Sequence, residues 1–159
     1  SDRTHIDLVR IWAEKMKYEP ITFRAFQDPD NREKPIYHTN VVMSIGTDIA
    51  VVCLDAITDG QERKIVEEAL ANHVIIRINI AQMNAFAGNM LEVLNKDGGK
   101  MMVMSETAWS SLEIEQRQVL EQYTTALVTD IPTIEKIGGG SARCMIAEVF
   151  SLFSQTAKA

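Results

Sequence analysis

The residue types most able to do chemistry sit together near the end of the chain, in Ile137-Gly138-Gly139-Gly140-Ser141-Ala142-Arg143-Cys144-Met145. Three consecutive glycines free the backbone to take positive φ and let another group approach it closely. Ser141 then reads as the cap of a helix whose apolar stripe is Met145, Ile146, Val149, Phe150 and Phe153. Such a helix puts Cys144 in its first turn, where unpaired N–H groups and the positive end of the dipole suit a nucleophilic sulfur, with Arg143 as a cation beside it. The same residues also describe a glycine loop ahead of a packing helix, with Cys144 filling core space, since buried inert cysteines are common.

A thiol nucleophile needs a proton carrier that works near neutral pH, and histidine is the side chain whose unperturbed range meets that need. Of the three histidines, His5 lies at a helix start and His73 at a helix end. His38, in Tyr37-His38-Thr39-Asn40, stands at the entrance to a strand and is the candidate; a structural histidine beside an aromatic ring is the alternative. Cys53, inside Ala50-Val51-Val52-Cys53-Leu54, belongs to the core. The two cysteines and three histidines show no metal-ligand spacing, so neither a metal nor another cofactor is expected. A net charge of -6, without a lysine–arginine cluster, argues against a nucleic-acid partner. The apolar runs are strand-sized, so no membrane span is expected, and two isolated cysteines make a reducing cytoplasm the default location.

These residues need elements to carry them. The chain opens with a helix over Thr4 to Lys17, with Thr4 and Asp7 as a capping box and Ile6, Val9, Ala13 and Met16 at helical spacing, widened by Leu8 and Trp12. After Pro20, Ile21 to Phe26 reads as a strand, and Gln27 through Pro35 as a polar connector or an active-site lid. Val41 to Ile45 and Ile49 to Leu54 are strands around the Gly46-Thr47-Asp48 turn. Asp59, with Glu62 at the capping-box position, starts a helix that buries Ile65, Val66, Ala69 and Leu70, and Val74 to Ile78 is a third strand. The order strand, strand, helix, strand then recurs. Met90 to Leu94 and Met101 to Met104 flank Lys96-Asp97-Gly98-Gly99. Helical structure follows through Trp109, Leu112, Val119, Leu120 and Tyr123, boxed by Ser110 and Glu113, and Ala126 to Thr129 closes the unit.

The first helix and strand read as the tail of another copy, and the residues after Asp130 as the start of one more. The fold class is therefore a pseudo-symmetric α/β array rather than a doubly wound sheet. A chain that begins inside such a unit reads as a fragment of a larger structure, with an apolar face or sheet edge left uncovered.

Four segments, in this order, carry a family likeness: Tyr37-His38-Thr39-Asn40-Val41, Phe86-Ala87-Gly88-Asn89-Met90-Leu91-Glu92, Thr133-Ile134-Glu135 and Gly138-Gly139-Gly140-Ser141-Ala142-Arg143-Cys144-Met145. Together they resemble the guanidine-modifying superfamily of the pentein fold: arginine deiminases, dimethylarginine hydrolases, agmatine deiminases and glycine amidinotransferases. The likeness is nearest to the bacterial branch of amidinotransferase-like or citrulline hydrolase proteins. It covers residues 1–159 as one partial domain, matching the C-terminal half of such a protein.

The resemblance implies a five-bladed ββαβ propeller around a polar channel, with about half of the units in this chain. It implies Cys144 as nucleophile and His38 as general acid and base, with Asn40, Gly139, Gly140 and Arg143 binding substrate. Several deiminases carry Asp where this chain has Asn40. A neutral amide, both donor and acceptor, suits a neutral ureido group better than a cationic guanidinium, which leans the reading toward a citrulline-like substrate. Relatives also use two carboxylates from the N-terminal half, and no residue here matches those motifs. The implied partners are a small guanidino or ureido amino acid and either the missing half or a second copy of the chain.

The implied chemistry is covalent: the sulfur attacks the central carbon, His38 protonates the leaving amine, and water then cleaves the S-amidino or S-carbamoyl intermediate with His38 as base. An amine in place of water makes the protein an amidinotransferase. Asn89 has a channel-facing polar role or a turn or β-edge role, and Glu135 either braces the loop before Cys144 or is a surface salt-bridge partner or solvated carboxylate. The competing classes are a non-catalytic binding module and a cysteine peptidase or acyltransferase. The enzyme reading requires His38 and Cys144 to face one cavity, with Asn40 at its rim.

Overall fold

The computed structural model describes residues 3–148. Ile49, Ala50, Val51 and Val52 are all 0% exposed, as expected for an unbroken apolar run rich in β-branched residues between polar turns. They form β2 (Ile49–Val52), the centre of a three-stranded sheet. β1 (Met43–Ile45) lies antiparallel to it and β3 (Val74–Arg77) parallel on its other side. A parallel pair needs a crossover, supplied here by α3 (Gly60–Ala69). The Asp59 carboxylate caps that helix by accepting from the N–H groups of Gln61 and Glu62. Glu62 does not complete a box; its carboxylate accepts from the Arg24 backbone N–H at 2.7 Å and ties the N-terminal segment to α3. Val66 and Leu70 are buried, whereas Ile65 and Ala69 are exposed, because only a narrow stripe of α3 meets the sheet.

The second unit repeats this connectivity. β4 (Leu91–Leu94) is antiparallel to β5 (Lys100–Ser105), which is parallel to β6 (Thr125–Thr129). Its crossover is two helices, α5 (Glu106–Ser111) and α6 (Ile114–Tyr123), because the chain is extended at Leu112. The expected Ser110–Glu113 box is absent: Ser110 donates to Glu106, and Glu113 pairs with Gln116. Each unit ends in a helix too short for periodicity to reveal, α4 (Ile80–Asn84) and α7 (Pro132–Gly138). The units meet where β1 approaches β4: Ser44 Oγ donates to the Met90 carbonyl at 2.8 Å, and Thr47 donates through N and Oγ1 to Glu92. Gln82 and Gln116 link them again, Gln82 Nε2 donating to Gln116 Oε1 at 2.7 Å.

The N-terminal segment departs most from expectation. α1 (Ile6–Met16) has His5 at its N-cap with no side-chain bond, so the Thr4–Asp7 box is absent. Ala13 is buried, but Leu8, Ile11, Trp12 and Met16 are exposed, with Trp12 stacked on Tyr18 at 5.7 Å. Ile21 to Phe26 makes two single bridges, Ala25 with Ile57 and Phe26 with Pro35, and no strand ladder; the following loop folds back on it instead. The strand expected from Val41 begins only at Met43, because Thr39–Val42 forms a short helix, α2.

The helix expected after Ser141 is a four-residue 3₁₀ turn, Ala142–Met145, followed by extended backbone at Ile146. The reason is local: the Ser141 hydroxyl donates to Glu135 at 2.7 Å, so it caps nothing. Val149, Phe150 and Phe153 lie outside the described residues. Among the described residues, no helix is long and apolar enough to cross a membrane.

Candidate active site

Three positions that lead into or follow successive units converge on one sulfur. Asn40 lies in α2 just before β1, Asn89 just before β4, and Cys144 just after α7. Asn89 Nδ2 donates to Cys144 Sγ at 3.3 Å, and Asn40 Nδ2 points at the same atom from 3.8 Å. Asn89 Nδ2 also donates to the Asn40 carbonyl at 3.1 Å. A carbonyl accepts only from the nitrogen side of an amide, which fixes the orientation of this carboxamide.

Close backbone packing makes this convergence possible. A Cβ on Gly88 would lie 2.3 Å from the Val41 carbonyl oxygen, so only glycine lets the Asn89 turn reach α2. The same turn holds Phe86 at φ 66, an unusual conformation for a bulky residue, closed by the Asn89 N–H donating to the Phe86 carbonyl at 2.8 Å.

On the cysteine side, α7 ends in Gly139 at φ 65, and a Cβ on Gly140 would come within 3.1 Å of the sulfur. The Glu135 carboxylate is buried and accepts from Ser141 Oγ at 2.7 Å and Thr107 Oγ1 at 2.6 Å. Glu135 therefore braces the loop before Cys144 and is not a solvated carboxylate. Arg143 is half-buried and donates to the Met90 carbonyl at 3.1 Å, tying the 3₁₀ turn to the start of β4.

Cys144 is exposed at a depression of about 520 Å³, and His38, Asn40, Gly139, Gly140 and Arg143 line the same depression. His38 occupies the N-cap of α2 with its side chain free of any cap bond, its carbonyl accepting from the Val41 N–H at 3.1 Å, and its ring stands edge-on to Tyr37, 6.2 Å between ring centres. Two further lining residues carry charge that the motifs did not reveal. Arg3 lies 4.6 Å over the Tyr37 ring, and Glu148 is the one lining carboxylate among the described residues. A second depression of about 330 Å³ also reaches Cys144, with Ile36, Val41, Met83 and Phe86 in its wall. Nothing in the local sequence foretells it, since its walls come from segments far apart in the chain.

The expected helix-terminus setting for the sulfur is not found. The Cys144 N–H already donates to the Ser141 carbonyl at 3.0 Å, and a four-residue 3₁₀ turn offers little dipole. Two side-chain amides stand there instead. Cys53, directly after β2, is 0% exposed, and burial pushes its thiol above the ordinary value. His5 and His73 line neither depression. Among the described residues, no group of three His, Cys, Asp or Glu side chains could hold a metal.

A family model described as N,N dimethylarginine dimethylhydrolase, eukaryotic, matches residues 1–151. Two solved structures have a similar fold. One is the apo form of ArgZ, an arginine dihydrolase from the ornithine–ammonia cycle in cyanobacteria: TM-score 0.67, 15% identity, over 89% of this chain and 20% of that one. The other is the product-bound N-terminal domain of ArgZ: TM-score 0.65, 17% identity, over 89% of this chain and 46% of that one. The chain thus spans less than half the length of either structure, and at such identities the likeness concerns the fold alone. No curated protein sequence matches. With a family model matched along nearly its whole length, the chain belongs to the N,N dimethylarginine dimethylhydrolase (eukaryotic) family, among the guanidine-modifying proteins of pentein type.

Proposed function

We propose that this chain is the nucleophile-bearing, C-terminal half of a hydrolase acting on the guanidino or ureido group of an arginine-like amino acid. One observation carries the reading: the exposed Cys144 and His38 line one depression, with the amides of Asn40 and Asn89 at the Cys144 sulfur. In this reading the two ββαβ units are about half of a five-unit propeller, and the depression is part of its central channel. The branch it fits best is the amidinotransferase-like, citrulline hydrolase one, because Asn40 offers a neutral amide where a guanidinium would favour a carboxylate.

The chemistry runs in two steps. The Cys144 thiol passes its proton to His38 as its sulfur bonds to the central carbon of the substrate, and His38 gives that proton to the leaving amine as the C–N bond breaks. Water then adds to the S-amidino or S-carbamoyl carbon, losing a proton to His38, and the C–S bond breaks as His38 returns that proton to the sulfur, restoring the thiol. Arg3 and Arg143 form a cationic wall that suits the carboxylate end of an amino acid. The backbone at Gly139 and Gly140 leaves room beside the sulfur for the reacting group. An exposed free thiol also calls for a reducing compartment such as the cytoplasm. The α1 stripe of Leu8, Ile11, Trp12 and Met16 is read as a docking face for the remaining units of the propeller, which would add carboxylates to the single one, Glu148, that lines the depression among the described residues.

The test is turnover by the full-length protein with arginine, a dimethylated arginine and citrulline in turn, with the released amine quantified and the Cys144 adduct sought by mass spectrometry. Amine release that disappears in Cys144→Ser, with a mass adduct on Cys144, supports the proposal. Undiminished turnover in Cys144→Ser, or no turnover of any of the three, refutes it. Product appearing only when an acceptor amine is added assigns the transferase in place of the hydrolase.

A further inference from the structure

We infer that Asn89 is a positioning residue for the reacting sulfur, a role that rests on reading Cys144 as the nucleophile. Asn89 is 3% exposed, so its carboxamide has lost water and must find protein partners. Its Nδ2 donates to the Asn40 carbonyl at 3.1 Å and to Cys144 Sγ at 3.3 Å, and its Oδ1 accepts from the Cys144 thiol at 3.6 Å. An amide nitrogen has two N–H bonds, and here one goes to each partner.

The consequence is mechanical. The first contact locks the carboxamide to the backbone of the neighbouring unit, and the second presents an N–H donor to the sulfur from that fixed point. Asn40 also points an amide at the sulfur, but from 3.8 Å, and Asn89 does not restrain its side chain, only its backbone. Asn89 Oδ1 accepts from the Cys144 thiol at 3.6 Å, a longer contact than the 3.3 Å one through Nδ2, so both ends of the carboxamide engage the sulfur. Meeting the sulfur from a point fixed on the neighbouring unit, the carboxamide holds it facing the depression, where an electrophile can reach it. A residue that only filled the Phe86–Asn89 turn would need the Asn40 contact and not the sulfur contact.

The two roles differ in the sign of one measurement. Iodoacetamide bonds its methylene carbon to the Cys144 sulfur as iodide leaves, so the rate reads the sulfur directly. In Asn89→Ala, folded by circular dichroism and with Cys53 still slow to label, Cys144 should alkylate about tenfold more slowly at neutral pH. An Asn40→Ala control should change the rate less. A rate unchanged or raised in folded Asn89→Ala overturns the inference, since loosened packing alone exposes the thiol.

If Asn89→Ala does not fold, Asn89→Asp keeps the volume, removes both N–H donors and sets an anion beside the sulfur. It should alkylate at least tenfold more slowly, and a wild-type rate overturns the inference equally. Failure of the enzyme reading looks different: the full-length protein would turn over none of the three substrates while Cys144 alkylation still depended on Asn89.

Discussion

Replacing Gly88 by alanine should damage fold and site together, and its size follows from contact distances. The added Cβ would sit 2.3 Å from the Val41 carbonyl oxygen, 3.0 Å from the Val41 carbonyl carbon and 3.1 Å from that of Val42. All three atoms are backbone in or beside a helix that leads into the buried strand β1, so none can yield as a flexible side-chain end would. Relief requires the Phe86–Asn89 turn to back away from α2 by about 1 Å, the shortfall from ordinary van der Waals contact. That movement stretches the Asn89 bonds to the Asn40 carbonyl and to Cys144 Sγ. Overpacking in a well-packed region costs about 1–3 kcal/mol, and the rigid partners put this site at the upper end. For a chain of this size that is a fall in melting temperature of about 6–10 °C. The matched control is Gly60→Ala: nothing lies within 4 Å of its Cβ, and the residue is helical, so the variant should be as stable as the parent or gain up to about 1 kcal/mol. Thermal melts followed by circular dichroism on both variants decide the matter. Equal melting temperatures for the two would refute the close-approach argument.

Three further outcomes can be checked on the same protein. Cys144 is exposed while Cys53 is fully buried with its thiol pushed up by desolvation, so mass-resolved iodoacetamide labelling should modify Cys144 at least tenfold faster, and equal slow labelling of both would contradict the site. Glu135→Ala strips partners from the hydroxyls of Ser141 and Thr107, one fully buried, and should destabilise by about 2–4 kcal/mol in urea titrations, with Glu135→Gln milder because its amide oxygen still accepts one bond. The Asp59 carboxyl is held below its ordinary value, first by the Glu62 N–H and then by that of Gln61. The stability it adds is therefore present at neutral pH and lost as pH falls through the carboxylate range, so wild-type protein should lose stability on acidification faster than Asp59→Asn, and parallel pH curves would refute the cap.

The two ββαβ units could be read from the sequence because each depends on local properties. The apolar run at Ile49–Val52, the turns at Gly46-Thr47-Asp48 and Gly98-Gly99, and the Asp59 cap act over a few residues, and tertiary context had nothing to overrule. The residue types at Cys144 and His38 were likewise visible, since a thiol and an imidazole announce their chemistry wherever they lie. Tertiary structure alone decided what surrounds them. Asn40 and Asn89 lie 104 and 55 positions from Cys144, and their meeting at one sulfur depends on two sheets docking through β1 and β4 and on Gly88 admitting a carbonyl. Ser141 has the composition of a helix cap, but the buried Glu135 carboxylate takes its hydroxyl, and the helix becomes a 3₁₀ turn. Helical spacing in α1 marks an apolar stripe without saying what covers it, and in the fold that stripe stays open at Leu8, Ile11, Trp12 and Met16. Periodicity and capping are properties of neighbours along the chain, whereas a hydrogen-bond partner is chosen by whatever group the fold brings within about 3 Å.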